Sequence, residues 1–214
     1  MRFANRMDAG RRLGAALEHL RGEDLVICGL PRGGVPVAYE VAIALGAPLD
    51  VIVVRKLGFP GQPELAMGAV GEAGARFVDE TTVALSGLTS IELAALERLA
   101  GGEVQRKARR FRDGRDRVER AGRTVVIVDD GIATGSTARA ACQVVRAERA
   151  TRVVLAVPVA PPGWATQLGE AADEYVCLET PQPMVAVGNW YLDFSPTSDA
   201  DVVDCLSRSL QWRP

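Results

Sequence analysis

The sequence is poor in residues on which several common kinds of site depend. It contains a single histidine, His19, and its four cysteines are widely spaced and form no C-x-x-C pair. Aromatic residues make up 5% of the chain, and the net charge is −2. These shortages argue against a histidine-based triad, a zinc site, a redox dithiol and a general attraction to nucleic acid. We expect reduced, buried thiols in a cytoplasmic protein.

Long hydrophobic runs are also missing. No apolar stretch reaches the length needed to span a membrane, and the N-terminus lacks the apolar centre of a signal peptide. The 214 residues are 48% hydrophobic and 24% charged, with a mean hydropathy of +0.07. This composition is typical of a globular α/β chain. We expect one domain over residues 1–214, without a membrane partner.

The sequence does contain short apolar runs that alternate with amphipathic segments. Runs rich in Val, Ile and Leu predict strands at 24–29, 49–55, 123–128, 152–159 and 175–178. Helical spacing occurs at 8–21, 35–45, 90–121 (interrupted by Gly101-Gly102) and 199–210, and the Gly- and Pro-rich stretch 58–74 predicts a loop. This alternation predicts an α/β fold with a parallel sheet that is covered on both faces.

The most informative segment is 125–137, VVIVDDGIATGST in one-letter code. An apolar strand runs into Asp129 and Asp130, and a loop of small and hydroxyl residues then leads into a helix. Unpaired N–H groups at the start of a helix, together with the helix dipole, favour an anion such as phosphate. No lysine follows the second glycine, so this is not a Walker loop. The two acids can accept hydrogen bonds from vicinal hydroxyls, so the segment suits a phosphorylated ribose.

Cations follow two further predicted strands. Arg32 stands before Gly33 and Gly34 in a turn between strand and helix, which offers a cation and exposed N–H groups to an anion. Arg55 and Lys56 end the second strand, and two neighbouring cations in a crevice call for an anion between them. Ligands of parallel sheets bind beyond the carboxyl ends of the strands. We therefore expect these loops and the acid pair to share one crevice.

These motifs resemble those of the type I phosphoribosyltransferases, which use 5-phosphoribosyl-1-pyrophosphate (PRPP). Segment 125–137 resembles the family's PRPP-binding motif, and the Arg-Gly-Gly turn resembles its pyrophosphate loop. The resemblance implies a parallel five-stranded, Rossmann-like core over about 22–180 and a small hood from about 1–21 and 181–214. It also implies a mobile loop at about 58–75, which closes over the substrates, and a homodimer.

The resemblance also assigns roles to particular residues of this chain. Asp129 and Asp130 would hold the ribose hydroxyls, with Glu64 as a candidate acid or base. The 5′-phosphate would be bound by Ala133, Thr134, Gly135, Ser136 and Thr137. The pyrophosphate would be bound by Arg32, Gly33, Gly34, Arg55 and Lys56. Mg²⁺ would be the cofactor, held mainly through PRPP and near the acid pair.

Recognition of the acceptor is expected from segment 184–194, which resembles the hood of the 6-oxopurine enzymes with one extra residue. That likeness assigns Val187, Trp190, Tyr191 and Asp193 to the base. However, Ala133 stands where the 6-oxopurine branch has an aspartate, and alanine is found there in the adenine, uracil and orotate branches. The acceptor, purine or pyrimidine, therefore stays open.

The implied reaction transfers the phosphoribosyl group of PRPP to a nitrogenous base and releases pyrophosphate, as in nucleotide salvage. One alternative is a PRPP-sensing regulator without turnover, with RNA bound by the arginine-rich segment 106–123. Another is a sugar-phosphate-binding protein with a different reaction. We favour the transferase, with small-molecule partners and no nucleic acid. Acidic residues alternate with the arginines of 106–123 at helical spacing, which indicates a solvated helix face.

Overall fold

Five parallel strands form the central sheet of the protein. The computed structural model describes residues 2–211, with the backbone alone over 62–65 and 210–211. The sheet contains β1 (Leu25–Gly29), β2 (Leu49–Val51), β6 (Thr124–Val128), β7 (Arg152–Val159) and β8 (Glu174–Glu179). Their order is β2-β1-β6-β7-β8, and every neighbouring pair is parallel. The prediction of a parallel five-stranded α/β core is confirmed.

Helices cover both faces of this sheet. They are α1 (Arg6–Ala16), α2 (Gly34–Leu45), α3 (Glu80–Ser86), α4 (Ser90–Arg112), α5 (Ser136–Ala147), α6 (Trp164–Leu168) and α7 (Asp199–Gln211). Alternate residues of a strand point to opposite faces. Accordingly, Val126 and Val128 join the apolar cluster under α1, α2, α4 and α7, whereas Val125 and Ile127 join the cluster under α5 and α6. The terminal helices α1 and α7, from the segments expected to form a hood, both pack on α2.

A second, antiparallel sheet occupies the stretch predicted as a loop, so that prediction is wrong. Its strands are β3 (Arg55–Phe59), β4 (Gln62–Val70) and β5 (Arg76–Val78), in the order β3-β4-β5. The glycines that suggested a loop serve the sheet instead. Gly61 turns the hairpin with φ +77°, and a Cβ on Gly68 would lie 2.3 Å from the backbone oxygen of Phe77. Glycine is the residue for such a turn and such a close approach.

Two predicted boundaries also change. The second core strand ends at Val51, so residues 52–54 lead out of the central sheet before β3 begins. Helix α4 runs through Gly101-Gly102 without a break and ends at Arg112, not at residue 121. Asp113 then takes φ +48° and Gly114 takes φ +82°, which stops the helix. The residues after α4 therefore return to the sheet as irregular backbone.

The prediction of a solvated face for 106–123 fails for Arg112 and Arg120, which are 7% and 1% exposed. Arg112 donates to both carboxylate oxygens of Asp50, at 2.8 and 3.0 Å, and also pairs with Glu72. Arg120 donates to the Val51 carbonyl at 2.7 Å. Buried charges need such partners. The network links the end of α4, the turn after β4 and strand β2.

The structure shows the state of the few cysteines and whether any helix could cross a membrane. All four cysteines are unpaired, and three of them are buried. Burial raises the pKa of the Cys28 thiol to about 11 and that of Cys142 to about 12, so both stay protonated at neutral pH. Over residues 2–211, no helix combines the length and apolar character that crossing a bilayer requires.

Candidate active site

The acid pair and the arginine–glycine turn meet at the carboxyl edge of the central sheet. Strands β1 and β6 are neighbours, with Gly29 level with Val128, so the loops that follow them lie side by side. The Leu30 N–H donates to the Val128 carbonyl at 2.8 Å. A Cβ on Gly33 would lie 2.0 Å from a carboxylate oxygen of Asp130. The contact between the two loops therefore requires glycine at position 33.

The two acids share a partly buried position that disfavours two charges. Burial raises the pKa of Asp129 well above its usual range, and the neighbouring Asp130 raises it further. Burial also raises the pKa of Asp130, against the opposing effect of the Arg6 guanidinium. Strongly shifted carboxyl groups in a crevice are typical of functional sites. The pair is thus better suited to hydrogen bonding and charge stabilisation than two exposed aspartates would be.

Arg6 contacts the candidate site, and sequence reasoning missed it. Its Nε and Nη2 atoms both lie 2.8 Å from Asp130 Oδ2, and Nη1 donates to the Ser195 carbonyl at 2.8 Å. Its guanidinium carbon lies 3.9 Å from the centre of the Phe194 ring. Arg6 therefore joins α1 and the segment before α7 to the acid pair. No local motif marks it, since the contact joins positions 124 residues apart.

The predicted phosphate cradle lies at the start of α5. Gly135 has φ +74° and no side-chain hydrogen bond caps this helix, so its first N–H groups face the loop. Thr134 Oγ1 lies 3.3 Å from Ser136 Oγ, and the Lys56 ammonium donates to Ser136 Oγ at 3.1 Å. Ala133, Thr134 and Thr137 are exposed. Hydroxyls, free N–H groups and a cation thus converge on one open loop.

Arg55 and Lys56 diverge instead of facing one anion together. Both lie at the start of β3, where neighbouring side chains point to opposite faces. Lys56 reaches the α5 loop, whereas Arg55 Nε lies 3.4 Å from Glu103 on α4. Glu64 lies in β4 where only the backbone is described, so its predicted role falls outside the described side chains.

The segment expected to recognise the base contacts the acid pair from the other side. Tyr191 donates its hydroxyl to the Asp130 carbonyl at 2.5 Å, and its ring packs between Phe3 and Phe194. Because Tyr191 is only 4% exposed, its position is structural, and the half-buried Trp190 is the better stacking candidate.

The other two residues expected at the base differ in their surroundings. Val187 packs on the loop that follows the acids, since a Cβ on Gly131 would lie 2.5 Å from Val187 Cγ1. Asp193 is exposed and accepts hydrogen bonds from Ser195 N and Oγ at 2.9 and 2.6 Å. These bonds lower the pKa of Asp193. Val187 therefore contacts the loop that follows the acid pair, whereas Asp193 is held in its own turn by Ser195.

A parallel α/β sheet with an acid pair at its carboxyl edge, followed by a hydroxyl-rich helix start, defines the phosphoribosyltransferase class of folds. The chain belongs to the phosphoribosyl transferase domain family, whose model matches residues 5–188. The match includes the acid pair, the α5 loop and the arginine–glycine turn. The prediction of this family from the sequence is confirmed.

Two relatives cover nearly the whole chain. The crystal structure of TT1426 from Thermus thermophilus has 45% sequence identity and a TM-score of 0.89, and the match covers 100% of both chains. "Putative phosphoribosyl transferase Rv0571c" of Mycobacterium tuberculosis is 55% identical over 207 residues, which are 97% of this chain and 47% of the relative. The chain thus spans about half the length of the curated relatives it matches.

Proposed function

We propose that the protein transfers the 5-phosphoribosyl group of PRPP to a nitrogenous base and releases pyrophosphate. One observation carries this proposal: the pair Asp129–Asp130 stands at the sheet edge beside the Arg32 turn and the α5 loop, which offer cations, hydroxyls and N–H groups. A ligand with vicinal hydroxyls at its centre and phosphate groups at both ends matches that arrangement. PRPP has this chemical pattern, and membership of the family supports its choice as the substrate.

Each loop takes one part of PRPP in this proposal. Asp129 and Asp130 accept hydrogen bonds from the ribose hydroxyls, and residues 133–137 bind the 5′-phosphate. Arg32 and the N–H group of Gly33 offset the charge of the departing pyrophosphate. Lys56, which donates to Ser136, adds a cation at the 5′-phosphate. The carboxylates also stabilise positive charge that develops on the ribose ring. Catalysis then rests on positioning and electrostatic stabilisation, without a covalent enzyme intermediate.

Mg²⁺ suits this site as an ion bound largely by the substrate. Among the described residues no group of three or more His, Cys, Asp or Glu side chains could hold a metal. Asp129 and Asp130 supply carboxylate oxygens, and Mg²⁺ commonly binds one or two carboxylates together with substrate phosphates. When bound, Mg²⁺ supplies charge neutralisation on the diphosphate. The acid pair would hold the ion on its ribose side.

The acceptor is expected between Trp190 and the acid pair. Val187 contacts the loop at Gly131, so the segment around it borders the place where the ribose would lie. A half-buried indole offers a flat apolar surface to a planar base. Ala133 supplies no acidic group to a base nitrogen, unlike the aspartate of the 6-oxopurine branch. A panel of purines, pyrimidines and related bases is therefore needed.

The test is release of pyrophosphate from Mg²⁺-PRPP with each base of the panel added singly. Release that depends on one base would establish the transfer and identify the acceptor. The double variant Asp129→Asn/Asp130→Asn should fold but lose this activity. Turnover that is unchanged in the double variant would remove the acids from the mechanism. Binding of PRPP without release for any base would contradict turnover with these acceptors.

A further inference from the structure

The arginine-rich second half of α4 borders a cavity next to the Arg32 turn. This cavity has a volume of about 380 Å³. Arg32 lines it from the turn after β1, and Thr137 lines it from the start of α5. Lys107 and Arg110 line it from α4. The cavity therefore extends from the predicted phosphate cradle to a helix that no recognised motif includes.

The charged residues around this cavity favour an anion. Lys107 and Arg110 are three residues apart on α4, so their side chains lie on the same side of the helix. With Arg32 they give three cations, and among the described residues that line the cavity Asp199 is the one acidic residue. Three positive charges and one negative charge leave a formal charge of +2. Cations held this close together repel each other unless an anion lies between them.

The protein's own carboxylate already binds two of these cations. Asp199 Oδ2 lies 2.9 Å from Arg110 Nε, and Asp199 Oδ1 lies 3.7 Å from Arg32 Nη1. Both arginine side chains remain more than half exposed, at 71% and 55%. They can therefore exchange this carboxylate for a ligand without leaving a buried position. Guanidinium groups bind phosphoryl oxygens in the same forked geometry as carboxylates.

The cations on α4 are held by a rigid support. Arg112, two residues after Arg110, is buried in the network with Asp50 and Glu72. Asp50 belongs to β2, whose following residues also line the cavity. The network thus fixes the end of α4 relative to the central sheet. Binding groups on a fixed helix lose less entropy on contact with a ligand than groups on a free loop.

We propose that Lys107 and Arg110 belong to the pyrophosphate site and bind the diphosphate of PRPP together with Arg32. This proposal rests on the proposed function, because it takes the diphosphate to be that of PRPP. Without substrate, Asp199 pairs with Arg110 and Arg32, and the diphosphate replaces it when PRPP binds. As the base nitrogen bonds to C1′, the bond from C1′ to the diphosphate oxygen breaks, and its electron pair leaves with that oxygen on pyrophosphate. The added cations stabilise the charge that develops there.

The test compares two pairs of variants by calorimetric titration of the full chain. Lys107→Ala and Arg110→Ala remove the proposed cations. Arg106→Ala and Arg109→Ala are matched controls, because they remove exposed cations of the same helix that do not line the cavity. The probes are inorganic pyrophosphate with Mg²⁺ and, separately, ribose 5-phosphate. Thermal unfolding of each variant checks that the fold is retained.

We expect Lys107→Ala and Arg110→Ala each to weaken pyrophosphate binding about tenfold, which is typical for loss of one charge-assisted hydrogen bond. Both should bind ribose 5-phosphate as the unchanged protein does, and the controls should bind both probes normally. Equal weakening of pyrophosphate binding in all four variants, or in none, would overturn the proposal for Lys107 and Arg110. If ribose 5-phosphate still binds in that case, the proposed PRPP site itself would stand. Pyrophosphate binding without any ribose 5-phosphate binding would instead overturn the assignment to PRPP.

Discussion

Asp129 and Asp130 are held side by side in a partly buried crevice, where like charges oppose folding. Each carboxylate has only partial compensation: Arg6 pairs with Asp130, and Asp129 Oδ1 accepts the Asp130 N–H at 2.9 Å. Active sites commonly keep such unfavourable charge because the ligand requires it. Removing the charge of one acid should therefore stabilise the fold while it weakens function.

We expect Asp129→Asn to raise the free energy of unfolding at pH 7 by about 1–3 kcal/mol, the usual penalty for an incompletely paired buried polar group. The pKa of Asp129 is raised in the folded state, so the folded protein holds this proton to higher pH than the unfolded chain does. Stability should then fall as pH rises from about 4, the ordinary aspartate pKa, through the raised value. The Asp129→Asn variant should lack the part of this decrease in stability that comes from ionisation of Asp129.

Urea unfolding between pH 4 and 8 measures this difference. The amide oxygen of asparagine can still accept the Asp130 N–H, so the local hydrogen bond is kept as an internal control. Parallel pH profiles for the two proteins would show that the Asp129 carboxyl is not perturbed.

Arg6 acts on the site through Asp130, as a positioning residue. Replacing it in Arg6→Met keeps an apolar side chain over Phe194 but leaves Asp130 without its cation. We expect a loss of stability of about 3 kcal/mol, because one partner of a largely buried ion pair is left alone. We also expect the acidic limb of the pH–activity profile to move to higher pH, since the Arg6 charge lowers the pKa of Asp130.

A matched control for Arg6 lies on the same helix. Arg12 pairs with Asp8, but its side chain is 41% exposed. Arg12→Met should cost at most about 0.5 kcal/mol and leave the pH profile unchanged. A shift of the profile in both variants would point to a general charge effect in place of a specific contact.

At the level of single residues, the sequence predicted what lies within one motif. The acids and the α5 loop were predictable because strand, acids, glycines and hydroxyls are consecutive in segment 125–137. Arg6 and the buried role of Arg112 were not, because both depend on contacts between distant parts of the chain. The sequence alone does not indicate whether a charged side chain will form a buried ion pair or stay in contact with water.

At the level of elements, apolar strands were predictable and the second sheet was not. The first strand was predicted at 24–29 and is found at Leu25–Gly29, because a fully buried strand is a continuous run of apolar residues. The β3–β4 hairpin has glycines at its turn and at its contact with β5, which lowered the strand signal. Glycine at a close approach and glycine in a loop look alike in sequence.

The network around Arg112 determines how α4 and the second sheet attach to the core. We expect Arg112→Leu to lower the free energy of unfolding by about 3–5 kcal/mol, because Glu72 would stay buried without its cation. Asp50 would also lose its two hydrogen bonds from Arg112, although Arg120 lies 3.3 Å from it. Arg109→Leu, an exposed change on the same helix, should alter stability by no more than about 0.5 kcal/mol. Equal effects of the two changes in denaturant unfolding would show that the network does not stabilise the attachment.

At the scale of the whole molecule, the proposed PRPP site joins parts that are far apart in sequence. The second sheet contacts the site through Lys56, which donates to Ser136, and α1 contacts it through Arg6, which donates to Asp130. A ligand that binds only the folded arrangement of these parts stabilises the entire chain. The homodimer expected from the family resemblance stays a prediction, which sedimentation can test.

We expect Mg²⁺-PRPP at 100 times its Kd to add about 2.7 kcal/mol and to raise Tm by about 5–10 °C in a chain of this size. Mg²⁺ alone should change Tm little, because among the described residues no group of three or more His, Cys, Asp or Glu side chains could hold it. Thermal unfolding measures both effects. The same rise in the Asp129→Asn/Asp130→Asn variant would contradict the proposed binding mode.

The buried contacts of Arg112 also limit how the chain can diverge. Asp50, Glu72 and Arg112 come from three separate elements, and a change in any one removes a hydrogen-bonded ion pair from a buried position. Mutations at these positions should therefore be tolerated mainly as coordinated sets, such as replacement of all three by apolar residues. An alignment of many relatives should show the three positions covarying, whereas the exposed arginines at 106 and 109 should drift independently.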